Sequence, residues 1–258
     1  MAGFVALDDE GNLLGFVQLS SSPNSQTLGF IIDPALRDAN NHIGQELLST
    51  ALGFSRNKIN YKDDIYLWIP KPTPYHDLIA KEVGLKKDRE LFHMRKDISN
   101  MKLYPKDDHI VAFTMNKDEK ALIELNNRSF GNHPEQGNWD LNIFKQRQRQ
   151  PWFDPEGLLL YREDGNLGGF CWIKIDDFLL QKHSMGEIYI LGIDPKFQGK
   201  GIGKIMMKAG LNWLKQQGVS IATLYVDADN KRAIALYKSL GFAPHHIDRA
   251  YKSDPNLI

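Results

Sequence analysis

Leu191-Gly192-Ile193-Asp194-Pro195-Lys196-Phe197-Gln198-Gly199-Lys200-Gly201-Ile202-Gly203 reads as the end of a strand, a turn and the start of a helix. Pro195 cannot donate to a strand ladder and stops the strand. Gly199, Gly201 and Gly203 are expected to let the backbone fold so that N–H groups converge at the positive end of the following helix, a nest suited to a pyrophosphate. The loop is not a nucleotide-binding P-loop, because Lys204 has no Ser or Thr beside it, and the Gly-x-Gly-x-Gly spacing is not a dinucleotide fingerprint.

Working outward, the same unit occurs twice. Phe30-Ile31-Ile32-Asp33-Pro34 matches Leu191-Gly192-Ile193-Asp194-Pro195, and Ile43-Gly44-Gln45-Glu46-Leu47-Leu48 matches Ile202-Gly203-Lys204-Ile205-Met206-Met207. Upstream, the hairpin pattern of Gly3–Phe16 recurs in Gly157–Phe170, each around an acidic Gly-Asn turn. Downstream, Val83-Gly84-Leu85 matches Leu240-Gly241-Phe242, each closing a helix with glycine. The chain is therefore two copies of one α/β (α+β) unit. Each is a mixed sheet flanked by helices, with a linker expected around Asp97–Asp108. We divide it as 1–103 and 104–258. Only Met1 and Ala2 precede the first hairpin, so the first copy is abbreviated or the chain start is internal to a longer one.

In the second copy, periodicity predicts helices over Glu119–Phe130, Ile202–Gln217 and Lys231–Leu240. It predicts strands over Gly157–Tyr161, Leu167–Ile175, Gly186–Ile193, Ile221–Val226 and His245–Tyr251. Glu187, Tyr189, Leu191 and Ile193 share one strand face.

Composition bounds the partners. Lys+Arg and Asp+Glu stand at 32 each, so no global field favours nucleic acid or an anionic membrane. Cys171 is the only cysteine, which excludes an intrachain disulfide and makes the reducing cytoplasm the expected compartment. The acid-interrupted N-terminus lacks a signal-peptide pattern, and no apolar run is long enough to span a bilayer. A monomer without a nucleic-acid or membrane partner is expected.

Gln198-x-x-Gly201-x-Gly203 resembles the acetyl-CoA signature of the GCN5-related N-acetyltransferases (GNAT). Asn230-x-x-Ala233-x-x-Leu236-Tyr237-x-x-Leu240-Gly241-Phe242 resembles that superfamily's second motif. The resemblance implies a tandem of GNAT folds with acetyl-CoA as co-substrate. It makes Glu187 the candidate general base and Tyr237 the candidate acid for the departing thiolate. A carboxylate among apolar face-mates on a central strand is otherwise costly, whereas Tyr237 alone reads equally well as core. Aligned on Asp33, the first copy has Gln26 at the Glu187 position. Aligned on Gly84, it has Ala80 at the Tyr237 position. Its turn, Arg37–Gly44, holds one glycine. This copy is expected to be structural, or to bind a cofactor non-productively.

Further stretches of the second half resemble the mycothiol synthases, tandem GNAT enzymes that acetylate the cysteinyl amine of cysteinyl-glucosaminyl-inositol. They are His133–Gly137, Pro151–Gly157, Gly186–Tyr189, Leu224–Asn230 and His245–Asp248. The resemblance implies a small-molecule acceptor, with contacts from Glu135, Lys174, Glu187 and Tyr225. It implies an acetyl-CoA site of Leu191, Gly192 and Ile193, then Gln198, Gly199, Lys200, Gly201, Ile202, Gly203 and Lys204, then Asn230, Lys231, Arg232, Ala233, Ile234 and Ala235. From the residues alone, Lys174 reads as a solvated charge, and Tyr225 reads equally well as core. The His245-His246 pair suggests a metal, but neighbours on a strand face opposite ways and no further ligand is evident, so no metal site is expected. The alternatives are a GNAT enzyme for another small amine, such as an aminoglycoside or polyamine, and a silent acetyl-CoA-binding module.

Overall fold

The structure is a computed structural model that describes residues 1–22, 25–38, 42–58, 64–131, 133, 136–175 and 185–253. The chain forms two compact units. One comprises Met1–His93, Val226–Asn230 and the C-terminal stretch from His245; the other comprises Met94–Tyr225 and Lys231–Pro244.

The first unit carries β1 (Ala2–Leu7), β2 (Leu13–Ser22), β3 (Ser25–Ile32), α1 (Ile43–Lys58), β4 (Asp64–Pro70), α2 (Pro74–Glu82) and β5 (Leu85–Asp97), whose last residues lead into the second unit. β1, β2 and β3 pair antiparallel in sequence, and β3 pairs β4 in parallel. The last strand, β11 (Ala243–Ser253), pairs antiparallel with β4 from Asp248↔Pro70 to Lys252↔Tyr66. The end of the second sequence copy therefore completes the sheet of the first unit. Alternation along β3 and β4 sends Leu28, Phe30, Ile32, Ile65, Leu67 and Ile69 into one core with Leu48, Leu52 and Ile79 of the helices.

The second unit carries β6 (Ile110–Ala112), α3 (Glu119–Ser129), α4 (Leu141–Gln148), β7 (Leu158–Glu163), β8 (Asn166–Lys174), β9 (Met185–Ile193), α5 (Ile202–Gln216), β10 (Ile221–Asp227) and α6 (Lys231–Ser239). Its strand order is β10-β9-β8-β7-β6, antiparallel except for the parallel β9–β10 pair. The mixed, mostly antiparallel sheet matches the sequence expectation. Asp164 and Gly165, at φ 50° and 76°, make the tight β7–β8 turn that matches the twist of the flanking strands.

α5 forms because Ile202, Met206, Met207, Gly210, Leu211 and Leu214 recur on one face, all buried. Each of the larger side chains contributes about 1.5–3 kcal/mol by leaving water. The helix stops where Gly218 takes φ 80°. On α3, Leu122 and Leu125 face the core with Phe113, Phe144, Phe170 and Trp172. Trp172 is fully buried, with ring centroids of Trp139, Phe144, Trp152, Phe153 and Tyr189 all within 6.0 Å. Among the described residues, no helix is long and apolar enough to cross a membrane.

Candidate active site

β9 is the strand that positions the site. Its pairing with β8 runs Gly169↔Ile193, Phe170↔Gly192, Cys171↔Leu191, Trp172↔Ile190, then shifts to Ile173↔Ile188 and Lys174↔Glu187. Tyr189 is thus an extra residue with no opposite number, a bulge that bends its strand. On the other edge, β10 pairs β9 only at Ile221↔Met185, Ala222↔Gly186 and Thr223↔Glu187. Beyond Glu187 the two parallel strands part, and β9 continues to Ile193 without β10 beside it. Backbone amides along that edge need partners from elsewhere, and an extended ligand carrying amides can add there as a strand would.

The first unit has the same strands with a shorter opening and no bulge: β3 outruns β4 only from Phe30 to Ile32. β2 and β3 pair from Gly15↔Ile32 to Ser22↔Ser25 with no shift of register, and β3–β4 pairing runs from Ser25↔Asp64 to Gly29↔Trp68. Gly29 corresponds to Ile190, so that pair stays closed where β9 and β10 have separated. Gln26, at the Glu187 position, is buried and accepts a hydrogen bond from Ser55 Oγ at 2.5 Å. Ala80, at the Tyr237 position, is fully buried. At the start of α1, the Tyr75 hydroxyl fills the space into which a Cβ on Gly44 would project.

The loop after β9 forms as its composition requires. Asp194 Oδ1 accepts from Lys196 N at 2.9 Å, and Arg128 Nε donates to Asp194 Oδ2 at 2.7 Å. Burial alone would raise the pKa of Asp194; the Lys196 N–H and Arg128 more than offset it and hold the carboxyl below its ordinary value. Gly199 and Gly201 lie at φ 83° and 81°, and Gly201 is the N-cap of α5. Gly203 does not share this role. It lies inside the helix at an ordinary φ, which corrects the expectation that three glycines shape the turn. Gln198 Nε2 donates to Ile193 O at 3.3 Å and its Oε1 accepts from Arg232 Nη1 at 2.8 Å, so the loop is tied to the strand before it and to α6. The Lys200 ammonium lies 5.0 Å from the centre of the Phe197 ring.

The remaining expected positions fall as follows. Leu191 and Ile193 are half-buried, whereas Gly192 faces Phe170 so closely that a Cβ would collide with its ring. Ile202 points into the core, leaving only its backbone to the loop. Lys204 donates its backbone N–H to Gly201 O. Asn230 closes a turn onto Asp227 O, and Lys231, Ala233, Ile234 and Ala235 form the first turns of α6. Tyr225 is exposed on β10 past the end of its pairing with β9, not in the core. Glu135 lies outside the described residues.

Two clusters emerge. Lys174 and Glu187 stand opposite one another on β8 and β9, with the Lys174 ammonium 5.4 Å from the centre of the Trp152 ring. Burial raises the pKa of Glu187, and the charge of Lys174 opposes that rise. Tyr237 is buried on α6, edge-to-face with Phe242. Burial raises the pKa of its phenol, and the nearby Cys171 thiol raises it further, so the phenol stays protonated. Cys171 is itself buried and pushed up to about 12, and it sits opposite Leu191 in the sheet. Cys171, whose thiol acts on Tyr237, thus stands beside the unpaired stretch of β9. Trp152 and Arg128 were not foreseen as site residues. Trp152 stood in a quoted motif, but its contact with Lys174 depends on the fold, and nothing local marks Arg128 as the partner of Asp194.

The metal expectation also needs one correction. His245 and His246 do have a third imidazole beside them, because β5 brings in His93. A groove of about 640 Å³ between residues 103–112 and α5 contains none of the positions named above; we assign it no part in the chemistry.

Comparison with known proteins gives the family. The family model described as Acetyltransferase (GNAT) family matches residues 120–242, which gives the class, an acetyl-CoA-dependent N-acetyltransferase. A mycothiol acetyltransferase of Thermomonospora curvata is 32% identical over 96% of this chain and 81% of its own length. One from Thermobispora bispora is 34% identical over 97% and 83%. The chain belongs to the mycothiol acetyltransferase family. Among solved structures, a GCN5-related N-acetyltransferase from Sphaerobacter thermophilus shares the fold at TM-score 0.81 and 17% identity, over 98% of this chain and 80% of that one. A tandem GNAT protein from the clavulanic acid biosynthesis pathway does so at TM-score 0.71 and 14% identity, over 98% and 82%.

Proposed function

We propose that this chain transfers the acetyl group of acetyl-CoA to the cysteinyl amine of desacetylmycothiol, cysteinyl-glucosaminyl-inositol, the last step of mycothiol biosynthesis. Residues 104–258 act as the catalytic domain and 1–103 as a degenerate partner that supplies structure. The observation that carries the reading is the bulge at Tyr189 with the open edge of β9 beyond Glu187; the first copy lacks the bulge, and its parallel pair parts three residues later.

Acetyl-CoA supplies the activated acyl thioester. Its pyrophosphate fits the backbone N–H groups that Gly199 and Gly201 turn towards the N-terminus of α5. Its pantetheine amides fit the unpaired edge from Leu191 to Ile193, and Gln198, Lys200, Lys204 and the first turns of α6 line the rest. Glu187 accepts the proton that the attacking ammonium must lose, directly or through one water; its raised pKa strengthens it as a base. Tyr237, kept neutral by burial, gives a proton to the departing thiolate. Positioning supplies much of the remaining rate.

Lys174 and Tyr225 are assigned to the acceptor, as is Glu135 from the family resemblance alone; the acceptor's hydroxyls suit carboxylate and ammonium partners. The acceptor assignment is supported by identity of 32–34% to mycothiol acetyltransferases along most of the chain. The chain works in the cytoplasm as a monomer, with no nucleic-acid or membrane partner. The test offers cysteinyl-glucosaminyl-inositol beside aminoglycosides, polyamines and lysine peptides, and follows each product by mass. Acetylation of the first at its amine, with its thiol left free, is expected. Turnover on another amine and none on this one would overturn the acceptor while leaving the class.

A further inference from the structure

Within the first unit, His93 near the end of β5 meets His245 and His246 at the start of β11. One nitrogen from each imidazole lies within 4.8 Å of the other two. The ring centroids are 5.7 Å apart for His93 and His245, 4.5 Å for His93 and His246, and 5.1 Å for His245 and His246. Although His245 and His246 are neighbours on β11, both rings reach His93. We propose that these three histidines form a binding site for a divalent transition-metal ion of the zinc class.

Three observations converge on this. His93 Nδ1 and His246 Nδ1 are 3.2 Å apart. Two nitrogens bound to one tetrahedral zinc at roughly 2.0–2.1 Å each stand about 3.3 Å apart, so this pair already spans a coordination edge. His245 is exposed and offers the third nitrogen, whereas His93 is buried. On the far side of its ring, His246 Nε2 lies 3.2 Å from Asp248 Oδ1, at ion-pair distance though not yet in hydrogen-bond geometry. Metal-bound histidines commonly hand their second N–H to such a carboxylate, which fixes the ring and its tautomer. Three neutral imidazoles with one position left for water suit zinc, nickel or copper better than calcium or magnesium. An ion held there would clamp β11 to β5 and so anchor the C-terminal strand in the first unit. The site is independent of the acetyl-transfer assignment.

The test is a zinc titration of the full, untagged chain against a chromophoric chelator, with cobalt(II) absorption as a second readout. One equivalent is expected to bind, with the intense visible bands of a low-symmetry cobalt site and a higher Tm. His245→Ala removes an exposed ligand without touching the core and should weaken binding by about 10-fold or more, with the apo Tm unchanged. Asp248→Asn keeps all three ligands and should weaken it by about 10–100-fold. Absence of stoichiometric binding, or binding that survives both His245→Ala and His93→Gln unchanged, would overturn the proposal and leave an imidazole–imidazole hydrogen bond.

Discussion

Gly201→Ala isolates the backbone of the cofactor loop. Gly201 sits at φ 81°, and a Cβ built on it meets nothing within 4 Å, so alanine causes no collision and acts only through strain. A left-handed alanine costs about 1–2 kcal/mol. If the N-cap relaxes to relieve it, the N–H groups leave their common focus. Binding to the loop then weakens by a comparable amount, roughly 5- to 30-fold in KM for acetyl-CoA. The rate constant at saturation should change little, because Glu187 and Tyr237 lie on other elements. Gly165 provides a matched control at φ 76°, also with nothing within 4 Å, in the β7–β8 turn. Gly165→Ala should lower Tm by a similar amount and leave KM alone. Steady-state kinetics over both substrates, beside thermal melts of the two variants, decide the matter. Equal KM effects in both variants, or a loss of stability in Gly201→Ala with KM untouched, would refute the assignment of the loop.

Glu187→Gln, which installs the residue the first copy carries, should reduce kcat by about 10²- to 10⁴-fold. It should also remove the acidic limb of the pH profile of kcat/KM, which in the parent lies above the usual carboxylate range because burial raises Glu187. Lys174→Met takes away the charge that opposes this rise, so the limb should move to higher pH while KM for the acceptor increases and KM for acetyl-CoA holds. A separate prediction concerns acid stability. Burial alone would raise Asp77, but hydrogen bonds from Tyr251, Lys87 and Arg249 bring it to about 2 from an ordinary 3.8. With its folded pKa depressed, Asp77 stabilises fully above about pH 4, and this contribution fades as pH falls towards 2. It is on the order of 2 kcal/mol before solvent screening of a carboxylate that is 31% exposed. Asp77→Asn should therefore be less stable than the parent at pH 6 by chemical denaturation and converge with it near pH 2.

Features set by adjacent residues were legible in the sequence. The glycine turn, the paired hairpins, the apolar stripe of α5 and the glycine stops at Gly218 and Gly241 each depend on a few neighbouring positions, and the repeat exposed the architecture. Features set by register were not. The extra residue at Tyr189 becomes visible only when Trp172 and Ile173 are seen to face Ile190 and Ile188. The same register turns Lys174 from a solvated charge into the neighbour of Glu187. Nothing near His245 announces His93, and nothing in β11 says that it completes the sheet of the first unit, because both follow from long-range strand pairing. Gly203 failed for the opposite reason: a motif glycine was credited with turn geometry when its place is within the helix.

The central claim is that two copies of one fold differ at their parallel strand pair, bulged and parted earlier in the second, and that only the second accepts acetyl-CoA. Isothermal titration of the full chain with coenzyme A counts the sites directly. The account predicts one site per chain, weakened by Gly201→Ala. Two sites of similar affinity, or a single site indifferent to that substitution, would contradict it.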